Sequence, residues 1–115
     1  MRELKFRIWD KEDMDYLGLV SVIFGNENEL LDNQIVMQYT GVKDRKGKEI
    51  YEGDLVRISP LLSTKLRNPI YEVVYTDGCF EIHNGKFRDY LKCAFVDFSV
   101  EVVGNKFENK ELLTS

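Results

Sequence analysis

Between Met37 and Ser59 the chain reads MQYTGVKDRKGKEIYEGDLVRIS, its densest run of turn-forming residues set between apolar ones. Tyr39-Thr40-Gly41 closes a short apolar run of Ile35, Val36 and Met37, and Gly41 allows a backbone turn that a side chain would resist. Lys43 to Lys48 then reads as a polar hairpin tip. Asp44 is placed to accept backbone amides two residues on, and Gly47 can supply a positive φ. A second turn at Glu52-Gly53-Asp54 delivers the chain into the apolar strand Leu55 to Ile58. Closely spaced reversals of this kind leave no room for long helices. They point to an antiparallel architecture.

The flanking segments agree with that expectation. Glu3 to Trp9 alternates, with Leu4, Phe6 and Ile8 expected on the core face and Lys5 and Arg7 on the solvent face. Trp9 falls on the polar side and is expected to cap the edge of the core. Tyr16 to Phe24, with Gly18 as a possible bulge, and Gln34 to Tyr39 read as strands, while residues 26–33 read equally as loop or helical turn. Ile70 to Thr76 and Cys79 to His83 flank Asp77-Gly78, a strong hairpin signal, and Asn84-Gly85 gives another turn into Lys86-Phe87-Arg88. Tyr90 to Val96 fits helix and strand alike. Phe98 to Val103 is the last strand, Gly104-Asn105 turns out of it, and Asn109 is placed to cap a short terminal helix. Ser59 to Pro69, bounded by prolines, reads as a long loop carrying Leu61, Leu62 and Leu66. The expected fold is one domain over residues 1–115, mainly β with minor α. It is a small twisted antiparallel sheet or SH3-like barrel with a short C-terminal helix.

Composition narrows the function. With 16 basic and 20 acidic residues the net charge is −4, which disfavours a chain built mainly to grip phosphates. Seven acids against Lys11 alone between residues 10 and 32 predict a strongly acidic end. No apolar stretch approaches a membrane span or a signal segment, so the expected setting is the cytoplasm, with Cys79 and Cys93 reduced.

Chemistry is sparse. His83 is the sole histidine, and with Cys79 and Cys93 it lacks the paired C-x-x-C spacing of a zinc site, so it reads as a hairpin-end residue facing water. Glu49, Glu52 and Asp54 lie close together, but turn geometry accounts for them without a catalytic pair. Gly41, Gly47 and Gly53 do not form a phosphate-binding loop. Neither enzyme activity nor a cofactor is expected. An alternative reading has a small barrel stacking single-stranded nucleic acid through Lys65, Arg67, Tyr75, Lys86 and Arg88, although the same aromatics also supply a core. The preferred reading is an interaction module that self-associates. Its candidates for the contact are the leucine loop and the apolar run Ala94, Phe95, Val96 and Phe98, with an unidentified protein as a further partner.

The central block, together with Lys5-Phe6-Arg7-Ile8-Trp9-Asp10, Val73-Val74-Tyr75, Asp77-Gly78-Cys79-Phe80 and Val102 to Leu113, resembles the YopX-like proteins of phages and prophages. The matching segments fall in the family's order and span nearly the whole chain. Lys110 departs from the pattern, standing where the family carries a proline, so the terminal helix loses a pre-set φ and is expected to fray. The resemblance implies a phage or prophage accessory protein, expected in the cytoplasm of a bacterial host cell with an unidentified host or phage protein as partner. It carries over no catalytic residues, because the family has no settled activity.

Overall fold

In the computed structural model the residues described are 5–18, 35–60, 69–85 and 87–113. They form β1 (Lys5–Trp9), β2 (Met14–Gly18), β3 (Ile35–Lys43), β4 (Glu49–Tyr51) and β5 (Asp54–Pro60). After these come β6 (Ile70–Thr76), β7 (Cys79–Asn84), β8 (Phe87–Tyr90) and β9 (Phe98–Asn105). A 3₁₀ turn at Leu91–Cys93 runs into the single helical turn α1 (Ala94–Asp97), and another 3₁₀ turn covers Lys110–Leu113. The strands make two antiparallel sheets, ordered β2-β1-β3-β4 and β8-β7-β6-β5-β9. The fold is mostly β with short helical turns, as the sequence leads one to expect.

The central block joins the two sheets. Gly53, at φ +89°, turns the chain from β4 to β5, donating its amide to the Val73 carbonyl at 2.7 Å. Its own carbonyl accepts the Lys106 amide at 2.9 Å, so one turn is tied to β6 and to the C-terminal segment. Val56, Ile58, Val73, Ile82 and Val100 fill the core on the five-stranded sheet, and Ile50, Leu91 and Ala94 close it. Each such aliphatic side chain contributes about 1.5–3 kcal/mol by leaving water. Of the ambiguous stretch Tyr90 to Val96, Tyr90 ends β8 and Leu91 to Val96 resolves as helical turns, because Leu91 and Ala94 are needed as the lid of this core.

The hairpin tip covers an edge that would otherwise be open. The Arg45 amide donates to the Val100 carbonyl, and the Val102 amide donates to Asp44 Oδ2, both at 2.9 Å along β9. Asp44 Oδ1 also accepts the Lys46 and Lys48 amides, at 2.8 and 2.9 Å. Burial opposes ionisation of this carboxyl, but the amides of Val102, Lys48 and Lys46 hold it below its ordinary value. A depressed carboxyl stabilises the fold above its unfolded pKa, and that contribution is lost as pH falls through the lower folded value. Asp44→Asn is therefore expected to cost about 1–3 kcal/mol at neutral pH, with the gap to wild type narrowing in strong acid. Urea unfolding across pH measures it; a gap that widens as pH falls contradicts the assignment.

Some local expectations change. In β1 the buried side chain is Arg7, while Phe6 and Ile8 are half-buried, because a guanidinium with fixed partners satisfies its burial better than alternation suggests. Trp9 thus lies on the inward side of the strand, and it caps the core edge as expected, stacked on Phe107 at 5.5 Å. Gly41 does not end β3; at φ +90° it lies within a register shift between Tyr39 and Lys43, and pairing with β4 continues. Asn109 stands just before the helical turn, its carbonyl accepting the Leu112 amide at 3.0 Å as expected of a cap, and its Oδ1 also accepts the Asn105 amide at 3.0 Å. The second strand is described over Met14–Gly18; residues 19–34 and the leucine loop at 61–68 lie outside the described residues.

Candidate functional site

Two features of the described residues hold chemistry: a buried ion pair between the sheets and an exposed aromatic corner. The ion pair joins β1 to the start of β5. Arg7 Nη1 lies 2.9 Å from Asp54 Oδ1, with the two side chains 2% and 3% exposed. Arg7 Nη2 donates to the Glu52 carbonyl at 3.0 Å, and the guanidinium lies 5.0 Å from the centre of the Tyr51 ring. Asp54 Oδ2 accepts the Tyr51 amide at 2.8 Å, closing the β4–β5 turn. Burial pushes the Asp54 carboxyl above its ordinary value, against the pull of Arg7 and the Tyr51 amide. Tyr51 is raised to about 12, by burial first and then by Glu49, whose Oε1 accepts its hydroxyl at 3.3 Å.

An open polar cleft of about 510 Å³ lies beside the pair, with Tyr16, Lys48, Asn105 and Glu108 on its walls. The three acids weighed as a catalytic pair, Glu49, Glu52 and Asp54, are each engaged. Glu49 pairs with Lys5, Glu52 Oε1 accepts the Gln38 amide at 3.5 Å, and Asp54 is held as above. This arrangement fastens the two sheets together, and it was legible in sequence only on its Asp54 side.

The aromatic corner lies at the far end of the five-stranded sheet. Tyr75, Phe87 and Tyr90 are 49%, 52% and 49% exposed. Tyr75 meets Phe80 edge-on at 5.0 Å, and Tyr71 meets Phe87 at 5.6 Å. An open groove of about 570 Å³ runs here, walled by Val42, Tyr75, Phe80, Tyr90 and Leu91, with Lys92 at its side. Of the five residues proposed for nucleic acid, Tyr75 and Arg88 lie on exposed positions of this sheet, while Lys65, Arg67 and Lys86 lie outside the described residues. Beyond β8 the chain exposes Val96 by 71% and Phe98 by 40%, in the apolar run singled out from sequence.

His83 does not end its hairpin facing water: it is half-buried within β7, between cross-strand neighbours Glu72 and Arg88, and its Nε2 lies 2.9 Å from Glu81 Oε1. Cys79 is half-buried and Cys93 exposed. Among the described residues no cluster of three or more His, Cys, Asp or Glu side chains could hold a metal. Nor does any described helix have the length and apolarity to cross a membrane.

Fold and site together define a two-sheet β domain fastened by a buried arginine–aspartate pair. This chain belongs to the YopX family, whose model, described as YopX protein, matches residues 20–114. Two crystal structures share its fold, each at 23% identity and a TM-score of 0.64. Protein EF1440 from Enterococcus faecalis aligns over 98% of this chain and 99% of its own. Protein yopX from Bacillus subtilis aligns over 95% and 97%. None of the curated proteins matches the chain significantly.

Proposed function

We propose that this chain is a non-enzymatic accessory protein of a phage or prophage, working in the bacterial cytoplasm as a module that binds further copies of itself through the α1–β9 corner. The observation that carries this reading is the exposure of Val96 and Phe98, 71% and 40%, beside an Ala94 that is turned into the core. A one-turn helix cannot bury both sides of an apolar run, so its outer side chains remain in water until another surface covers them. Covering one such side chain is worth about 1.5–3 kcal/mol, and a symmetric contact gains it on both copies. The engagement of Glu49, Glu52 and Asp54 in holding turns and strands supports the non-enzymatic part of the reading.

Light scattering at micromolar protein is expected to give a mass above the monomer. Val96→Glu is expected to return the chain to monomer with an unchanged circular dichroism spectrum. A monomeric wild type, or a Val96→Glu variant of undiminished mass, overturns the proposal.

A further inference from the structure

We infer that the hairpin tip between β3 and β4 binds the phosphate backbone of a nucleic-acid duplex, without regard to base sequence. Lys43, Arg45, Lys46 and Lys48 are all exposed there, four cations within six residues. Asp44, the one acid among them, is 7% exposed, and its two oxygens are turned to the amides of Lys46, Lys48 and Val102. On β9, Glu101 Oε2 lies 3.2 Å from Lys46 Nζ and 3.9 Å from Arg45 Nη1. Arg57 stands directly opposite Glu101 in the β5–β9 pair and shares its face. Three cations thus gather about one half-buried carboxylate, and Lys43 and Lys48 add to the same tip. The charge left over is positive. The tip is also fixed beforehand by the Asp44 bonds and by the Arg45 amide on the Val100 carbonyl, so little backbone ordering opposes binding.

The net charge of −4 does not cancel this surface, because the exposed acids near the N-terminus lie at the other end of the four-stranded sheet. Glu12, Asp13 and Asp15 are exposed where β1 turns into β2. By register, Trp9 is opposite Ile35 at the start of β3, and Lys43 is opposite Glu49 at its end. The nine residues of β3 span about 26 Å, well beyond the Debye length of about 8–10 Å near physiological salt. Repulsion from those acids is therefore largely screened at the tip.

The kind of polyanion follows from what accompanies the charges. A stable protein contact has an apolar centre, and none of the exposed large hydrophobic side chains falls between residues 43 and 48. Single-stranded nucleic acid is gripped through aromatic rings on which its bases stack, and the tip carries none. Guanidinium and ammonium groups without apolar or aromatic surface among them suit a regular array of phosphates. A duplex presents one such charge per about 1.7 Å of its axis. The inference does not rest on self-association at α1.

The test is fluorescence polarisation on the full chain with labelled DNA duplexes of two unrelated sequences, titrated at several salt concentrations. Saturable binding is expected at low salt, with log affinity falling against log salt at a slope of about −3. Lys46→Gln is expected to weaken both duplexes alike and to make that slope shallower by about 1. Arg45→Gln with Lys46→Gln is expected to weaken binding at least tenfold, while Arg88→Gln on β8 leaves it unchanged. Circular dichroism on these variants separates surface charge from folding, and the slope for Lys46→Gln decides the matter if the double variant unfolds. No saturable binding at low salt, an affinity indifferent to salt, a slope unmoved by Lys46→Gln, or an equal loss from Arg88→Gln overturns the inference. So does oligothymidine or polyglutamate of matching length that binds more tightly than the duplexes. If the chain proves monomeric yet binds duplexes in this pattern, the inference stands and self-association alone fails.

Discussion

Asp54→Ala is expected to cost about 3–5 kcal/mol of folding stability, the largest effect of any single side-chain truncation outside the apolar core. The loss comes chiefly from what the carboxylate leaves behind. Arg7 is 2% exposed, so its charge would stay buried beside the Glu52 carbonyl, the Tyr16 hydroxyl, the Met37 sulfur and the aromatic rings, none of which carries a counter-charge. The Tyr51 amide loses its acceptor as well. Arg7→Met should be costly for the mirror-image reason. The double replacement Arg7→Met with Asp54→Leu is expected to recover much of the sum, because two apolar side chains need no counter-charge. Urea unfolding of the three variants completes the cycle. Strictly additive losses would show that the two groups do not act as a pair.

Gly53→Ala is expected to cost about 3 kcal/mol, from two sources that a control can separate. At φ +89° any side chain strains the backbone, at about 1–2 kcal/mol. An added Cβ would also lie 2.8 Å from Met37 Sδ and 3.6 Å from Phe107, in the seam where the sheets meet. Gly47 has nearly the same backbone, φ +84°, with nothing within 4 Å of an added Cβ. Gly47→Ala should therefore show the backbone cost alone, and the difference in unfolding free energy measures how tightly the seam is packed. Equal losses at the two positions would place the whole effect in the turn.

Turn chemistry made most of the fold readable. Asp44 and Gly47 behave in the hairpin tip as their types require, and Asp77-Gly78 gives a tight reversal with both residues at positive φ. Strands bounded by such signals, Ile70–Thr76 above all, lie where the sequence places them. Arg7 was misplaced because alternation records polarity and not partnership. A buried arginine needs Asp54, the Glu52 carbonyl and Tyr51, all contributed from more than forty positions away in the chain. Asn109 stands before the last helical turn as its type suggests, and the further tie of its side-chain oxygen back to the Asn105 amide is one that a local pattern does not record. The exposure of Val96 and Phe98 could not be read locally either, since the core takes Ala94 from the same short run and leaves its neighbours out.

The account rests most heavily on the α1–β9 corner being where copies meet. Amide hydrogen exchange, followed by mass spectrometry over a hundredfold range of protein concentration, addresses that location directly. Amides from Phe95 to Ser99 are expected to gain protection as concentration rises, while those of the Asp44 hairpin tip exchange at an unchanged rate. Exchange at Phe95 to Ser99 that is independent of concentration, or protection that grows elsewhere in the chain instead, would contradict it.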